Sequence, residues 1–332
     1  MEMNSNNPPT FSIIIPVKFI NDYVRENIEH FQPMRSQSWE LYIVTDHDCV
    51  NEWPSDNRIN FLKSGEVGPA EKRDLAAKVS RGKYLVFLDD DSYPKSDFLE
   101  KLAKSFSEGD TQVVGGPGIT PENDKFWAKV SGATFETKGT ASDPRRYRSV
   151  GGICFLDDWP SVNLSILREI FLQVGGFDSN FWPGEDTEFC LKLKRAGFKI
   201  KYDPNVIVFH HRRPGLIRHL RQIGGYGIHR GFFARKYPEN SRKFKYFIPS
   251  LFSGYILSLP LFYLRFHQAW ELTPLLLYAF ALFYYVISTS RKHSMAISFA
   301  SLVFLIFSHI WYGLRFIQGF AFTSRLKSKL RK

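Results

Sequence analysis

Residues 84–91 read Tyr-Leu-Val-Phe-Leu-Asp-Asp-Asp. A five-residue apolar run is a strand buried on both faces. The three carboxylates that end it repel one another at close range, a cost that a cation removes. The same design recurs upstream. Phe11–Val17 (FSIIIPV) is a near-continuous apolar strand, and Leu41–Thr45 (LYIVT) is a second, ending in Asp46-His47-Asp48. Ile59–Leu62 is a short third. Helical spacing fills the intervals. One helix is expected across Asp22–His30 and another across Pro69–Ser80, where Ala70, Ala76, Ala77 and Val79 share a face and Gly82 terminates it. A third runs over Ser96–Phe106 with Ser96 as its cap, before Val113–Val114 meets Gly115-Gly116. Strands alternating with helices predict a mostly parallel α/β sheet, whose ligands bind beyond the carboxyl ends of the strands. Asp46 and Asp89–Asp91 stand there. The chain has no P-loop lysine pattern and no GxGxxG after the first strand, so ATPase and dinucleotide readings lack support.

The 332 residues suffice for about two domains. Net charge is +11, which first suggests nucleic acid. The total hides its parts: residues 1–191 carry −10, residues 192–245 carry +13 and residues 246–332 carry +8. An acidic body with a basic collar is not a uniformly basic protein, and no nucleic-acid partner is expected. With 44% hydrophobic and 16% aromatic residues, disorder is excluded as well. Cys49, Cys154 and Cys190 are too widely spaced for a zinc site or a disulfide framework and read as free thiols in a reducing compartment. The polar stretch Met1–Thr10 does not read as a secretory signal.

The last third is different. Tyr246–Leu264, Leu272–Ser290 and Ser294–Leu314 are apolar for about twenty residues each, the length that crosses a bilayer core. Tyr263, Trp270 and Trp311 suit headgroup depth. Just before these runs, Arg212, Arg213, Arg218, Arg221, Arg230, Arg235 and Lys236 interleave with Leu216, Ile217, Leu220, Ile223, Tyr226, Phe232 and Phe233. The pattern predicts one or two interfacial amphipathic helices, broken near Gly224-Gly225, against anionic membrane lipids. Lys243, Lys245 and Arg291-Lys292-His293 put their flanks on the cytoplasmic side, and three full crossings would then put the basic tail Arg325–Lys332 outside.

From Phe11 to about His211 the chain resembles family 2 glycosyltransferases of the glycosyltransferase A fold. The resemblance rests on eight ordered pieces: IIIPV in the opening strand, the aspartate after the second strand, GPAEKRDLA (Gly68–Ala76), YLVFLDDD, VVGGP (Val113–Pro117), SVNLSILREIFLQVGGFD (Ser161–Asp178), GEDTEFCLKLKRAGFKI (Gly184–Ile200) and DPNVIVFHH (Asp203–His211). It implies an enzyme that takes a nucleotide-diphosphate sugar. Asp46 would contact the base, near Pro16 at the end of the opening strand. Lys72 and Arg73 would face the nucleotide. Asp89 and Asp90 would contact ribose or diphosphate, with Asp91, Asp89 and His210 holding Mg²⁺ or Mn²⁺, and His211 the alternative ligand. The Glu-Asp pair implies Asp186 as general base, with Glu185 at the acceptor or holding the loop. Asp186 precedes the apolar face Phe189, Cys190, Leu191, Leu193 and Ala196, so it lies near a helix N-terminus, whose dipole favours the ionised form. Trp159 and Trp182 are candidates for stacking on sugar.

Gln222-Ile-Gly-Gly-Tyr226 falls where processive synthases of the family carry QxxRW, but the Arg and Trp are replaced. The expectation is therefore an inverting transferase using a lipid-linked or other membrane-bound acceptor in polysaccharide or glycolipid assembly. The alternatives are a processive polysaccharide synthase and a membrane-anchored, non-catalytic scaffold. The expected layout is a cytoplasmic catalytic domain over 1–211, a basic amphipathic segment over 212–245, and a multi-pass membrane region over 246–332.

Overall fold

The computed structural model describes residues 8–109, 111–136, 143–177, 181, 183–266 and 269–326. Trp182 and residues 327–332 of the basic tail lie outside the described residues. The chain forms two compact units. One lies within Met1–Ile119 and Arg148–His210, the other within Thr120–Tyr147 and His211–Leu326. Residues 120–147 therefore group with the C-terminal helices, although the expected catalytic segment 1–211 includes them.

In chain order the elements are β1 (Phe11–Pro16), α1 (Asp22–Phe31), β2 (Trp39–Thr45), β3 (Ile59–Lys63), α2 (Pro69–Val79), β4 (Tyr84–Leu88), β5 (Ser92–Pro94), α3 (Phe98–Ser107), β6 (Val113–Gly115) and β7 (Gly118–Ile119). Next come α4 (Phe126–Phe135), β8 (Cys154–Leu156), β9 (Asn163–Leu167), α5 (Arg168–Gln173), α6 (Glu185–Arg195), β10 (Ile200–Tyr202) and β11 (Val208–His210). The helices α7 (Leu216–Lys236), α8 (Pro238–Ser241), α9 (Ile248–Phe266), α10 (Thr273–Ser290) and α11 (Met295–Ile317) complete the chain.

The first unit is built on an eight-stranded sheet of order β3-β2-β1-β4-β9-β6-β10-β8. Its β3-β2-β1-β4 half is parallel, as the alternation of strands and helices predicts. β9 runs antiparallel between β4 and β6, and β8 antiparallel at the edge. Strand periodicity sorts the core into two layers. Ile13, Ile15, Leu41, Ile43, Val86 and Leu88 pack on Val24 and Ile28 of α1 and on Phe98, Leu99 and Leu102 of α3. Ile14, Tyr42, Val44, Leu85 and Phe87 pack on Ala70, Ala76 and Ala77 of α2, Phe171 of α5, and Phe189 and Leu193 of α6. Helices thus cover both faces, and the architecture is the glycosyltransferase A type. α3 starts two residues after the Ser96 cap position. Asp97 occupies the N-cap without a side-chain capping bond, and its carboxylate pairs with Lys95 at 3.1 Å. Trp159 is fully buried, with its ring against Gly115 and its Nε1 donating to the Gly116 carbonyl at 3.1 Å. It belongs to the core and is not a sugar platform.

A second sheet, β5-β11-β7, sits at the carboxyl end of β4. β11 runs antiparallel to β5 with His210 opposite Ser92, the residue after Asp91. This small sheet carries the histidine to the aspartates.

In the second unit α11 is the central helix. α7 packs along its C-terminal half, and the glycines of α7 serve that contact. A Cβ on Gly224 would collide with the Trp311 ring, one on Gly227 with the Tyr312 carbonyl, and one on Gly231 with the Phe316 carbonyl. α7 is therefore one continuous 21-residue helix, not a pair broken near Gly224-Gly225. The glycines permit close approach, and tertiary packing offsets their poor helix propensity. His219 of α7 is fully buried, hydrogen-bonded to Ser131 of α4 at 2.8 Å and Ser308 of α11 at 3.0 Å. Burial pushes it down to about 4, so it is neutral at pH 7. Gly231→Val is expected to destabilise this unit by several kcal/mol, since overpacking here meets backbone rather than a movable side chain. A lowered melting temperature in detergent, with Gly254→Ala, where an added Cβ meets nothing within 4 Å, close to wild type, is the check.

Among the described residues, two helices are long and apolar enough to cross a membrane: 270–290 and 295–322. The first expected run forms α9, which contains Pro260 and is not one of them.

Candidate active site

The turn after β4 holds the three aspartates, and each meets a different partner. Asp89 accepts from Arg73 Nη2 at 2.6 Å. Asp90 accepts from Asn21 Nδ2 at 2.8 Å. Asp91 lies 3.1 Å from His210 Nε2. One ligand atom from each of Asp89, Asp91 and His210 falls within 4.8 Å of the others. Two carboxylates and an imidazole make a donor set suited to Mn²⁺, and to Mg²⁺ with its preference for oxygen. Asp90 points away to Asn21, and burial together with the charge of Asp91 pushes it up to about 6. His211 turns elsewhere, pairing with Asp124 at 2.5 Å. Of the two histidines, His210 is the one placed at the aspartates.

Asp46, at the end of β2, forms an ion pair with Lys72 of α2, whose Nζ also donates to the Val17 carbonyl. Pro16 precedes that carbonyl as the last residue of β1 and is opposite Val44 in the register. Lys72 is only 3% exposed, so its charge is spent locally on Asp46.

Arg73, beside it on α2, is the hub of the site. It is 2% exposed, and Nη1 lies 3.7 Å from Glu185 while Nη2 holds Asp89. Its Nε and Nη1 make no hydrogen bond among the described residues, and its guanidinium lies 5.4 Å from the Phe177 ring centre. One buried cation thus joins the aspartate turn to the first residue of α6. A guanidinium buried this deeply places a fixed positive charge behind the aspartate turn.

Gly184, at φ 119°, turns the chain into α6, so Glu185 and Asp186 are its first two residues. The helix dipole favours ionised carboxylates there, by up to about 2 kcal/mol. Burial opposes it and wins. Asp186 is half-buried, but its Oδ1 is sealed from solvent and has no hydrogen-bond partner among the described residues. Desolvation raises both carboxyls well above the usual range, against Arg73 for both and a Ser161 hydrogen bond for Asp186. Desolvation of carboxyls held this deep outweighs the dipole's contribution. A carboxylate raised toward neutrality is a better general base than an ordinary one.

Asn21, Asp74 and Ser161 belong to the site without having been singled out in the sequence. Asn21 caps α1, accepting from Val24 N at 3.0 Å, while it holds Asp90. Asn before a helical pattern is a legible cap, but its second bond is not. Asp74 is pushed up to about 6 by burial and accepts from Phe177 N at 3.0 Å, which fixes the ring beside Arg73.

Comparisons with known proteins bear on the family and the fold. The chain is 22% identical over 243 residues to the dolichyl N-acetyl-α-D-glucosaminyl phosphate 3-β-D-2,3-diacetamido-2,3-dideoxy-β-D-glucuronosyltransferase of Methanococcus voltae, covering 68% of this chain and 74% of that one. It is 26% identical over 242 residues to the pre-mycofactocin glycosyltransferase of Mycobacterium tuberculosis, covering 69% of this chain and 48% of that one. Among solved structures, the mannosyltransferase PcManGT of Pyrobaculum calidifontis, in complex with GDP-Man and Mn²⁺, aligns with a TM-score of 0.58 at 16% identity, over 91% of this chain and 88% of that one. That likeness is one of fold. The family model for glycosyl transferase family group 2 matches residues 84–317, from the strand that ends in the three aspartates to the end of α11. A match of that extent settles the assignment: the chain belongs to glycosyl transferase family group 2, and it is a glycosyltransferase.

Proposed function

We propose that the chain is a metal-dependent, inverting glycosyltransferase that moves a sugar from a nucleotide-diphosphate donor to a lipid-linked or other membrane-bound acceptor, in polysaccharide or glycolipid assembly. The observation that carries this reading is the buried Arg73, which joins a potential metal set (Asp89, Asp91, His210) to a carboxylate pair with raised proton affinity (Glu185, Asp186). Asp89, Asp91 and His210 would hold Mg²⁺ or Mn²⁺, which when bound would neutralise charge on the diphosphate. Arg73 adds a fixed positive charge next to the same turn. Asp46 and Pro16 border the base side, with Lys72 fixing the orientation of Asp46; Asp90, bonded to Asn21, supports the turn.

Asp186 takes the proton of the acceptor hydroxyl. The oxygen attacks the anomeric carbon, and the nucleoside diphosphate leaves from the opposite face with the C–O electron pair. Glu185, next to Arg73, keeps the pair oriented. General-base assistance of this kind contributes about 10²–10⁴-fold.

The membrane part of the reading rests on the apolar helices 270–290 and 295–322 and on the charge of residues 192–332. The Methanococcus relative is named for a dolichyl-phosphate-linked acceptor, which supports the same class here. The expected location is the cytoplasmic face, where nucleotide sugars and anionic lipids meet the basic segment. Membranes holding the full chain, incubated with a panel of radiolabelled nucleotide sugars, are expected to pass label into an organic extract. Long water-soluble chains would instead mark a processive synthase, and no turnover with any donor would leave the scaffold alternative.

A further inference from the structure

Resting on that membrane reading, we infer that α10 and α11 lie along the membrane plane in a single leaflet, and that neither crosses the bilayer. The argument starts from what runs beside α11. Its C-terminal half is matched residue for residue by α7: His219 bonds Ser308, Gly224 abuts Trp311, Gly227 abuts Tyr312, Gly231 abuts Phe316 and Arg235 donates to the Thr323 carbonyl. The two helices therefore run side by side, in the same direction, for some sixteen residues. α7 carries Arg218, Arg221 and Arg235 exposed along that length, and Arg315 of α11 bonds Gln318 within it. A crossing helix would draw this row of guanidinium groups through hydrocarbon, at a cost of roughly 2.5–3.5 kcal/mol each.

The N-terminal half of α11 is matched the opposite way by α4. Trp127 stacks on Phe304 at 6.1 Å, Val130 and Ala133 pack with Ile297 and Phe304, and Glu136 pairs with His293 at 3.2 Å. Lys125, an exposed residue, flanks α4 at its start. Packed helices with charged residues at Lys125, Lys129, Arg218 and Arg221 thus flank α11 along its length, and the stretch without α7 beside it, residues 295–307, is about 20 Å long, short of a ~30 Å core.

The outer face of α11 is one continuous apolar stripe. Met295, Phe299, Val303, Phe307 and Trp311, at every fourth position, are 40–55% exposed. α10 lies antiparallel to α11, with Tyr278 bonded to His309 and Tyr285 to Ser301, and it adds exposed Leu276, Phe280, Phe283 and Ile287. α11 thus has α4 and α7, which carry charged residues, packed along one side and an apolar stripe along the other, and α10 exposes apolar side chains wherever it does not meet α11, a layered arrangement suited to the interface. Charge specifies the kind of interface. From residue 204 onward only Glu239 and Glu271 are acidic, so an anionic bilayer surface complements this unit.

The test places single cysteines in the full chain, with Cys49 and Cys154 replaced by Ser and the buried Cys190 left in place. Reporters go at the exposed ends of the helices: Lys245→Cys, Thr273→Cys, Lys292→Cys and Ser324→Cys, with Val50→Cys marking the side of the catalytic unit. Sealed vesicles of each orientation are treated with a membrane-impermeant maleimide before and after detergent. All four reporters are expected to label fully in the vesicles in which Val50→Cys labels. Any reporter that labels only from the other side, or only after detergent, overturns the inference, and the multi-pass arrangement then stands. Protein recovered in buffer, unbound to vesicles containing anionic lipid, contradicts the membrane reading itself, which keeps the two failures apart.

Discussion

Asp186→Asn is expected to lower kcat by about 10²–10⁴-fold while leaving the fold intact and the donor KM within a few-fold of wild type. The asparagine keeps the shape and cannot take a proton. Because the Asp186 carboxyl is raised in the folded state, the sign of its effect on stability is fixed. The folded protein holds that proton more tightly than the unfolded chain. Folding therefore gains from the group at low pH and loses the gain as pH climbs through the folded value. An uncharged isostere avoids that loss. The variant is expected to melt no lower than wild type, with an advantage absent near pH 4 and visible near pH 8. Full turnover by Asp186→Asn would remove the residue from the mechanism. A melting temperature well below wild type at pH 8 would show that the ionised group stabilises the fold.

Asp91→Ala is expected to cost roughly 10²–10³-fold in kcat/KM, the scale seen when one contributor to charge stabilisation on a leaving group is removed. The residue sits 3.1 Å from His210 and within the three-residue donor cluster, and removing it leaves two donors, too few for a firm site without substrate. The loss should shrink at high Mn²⁺ concentration, which separates a metal role from damage to the turn. Asp90→Ala serves as the comparison, since its carboxylate is bonded to Asn21 and is not in the cluster. Equal losses in both variants, insensitive to Mn²⁺, would assign the aspartates a donor-binding or structural role instead.

Much of the first unit is legible in the sequence because its strands are long and apolar. FSIIIPV, LYIVT and YLVFL name β1, β2 and β4 directly, and the helices between them force the parallel half of the sheet. The short strands are not legible. β5, β8 and β11 are three residues each, too short for any periodicity, yet β11 is what brings His210 to Asp91. The acidic turn and the Glu-Asp pair stand out as residue types, and the resemblance adds Arg73 toward the nucleotide, but its joining of the two clusters is not legible: Arg73 lies 16 residues from Asp89 and 112 from Glu185. Asp74 and its partner Phe177 are separated by 103 residues, which no local pattern reveals. The glycines of α7 mislead in an instructive way. In sequence they read as a break, but in three dimensions they are where α11 comes closest, because a helix breaker and a close-packing residue are the same residue type.

The central claim is that the aspartate turn holds a divalent cation for transfer from a nucleotide sugar. It is tested most directly by measuring nucleoside diphosphate release by the purified full chain, with its best donor, after EDTA treatment and then across a Mn²⁺ titration. Wild type is expected to fall to background in EDTA and to recover with saturable dependence on Mn²⁺, while Asp91→Ala requires far more Mn²⁺ for any recovery. Undiminished release in EDTA, or identical Mn²⁺ curves for wild type and Asp91→Ala, would contradict it.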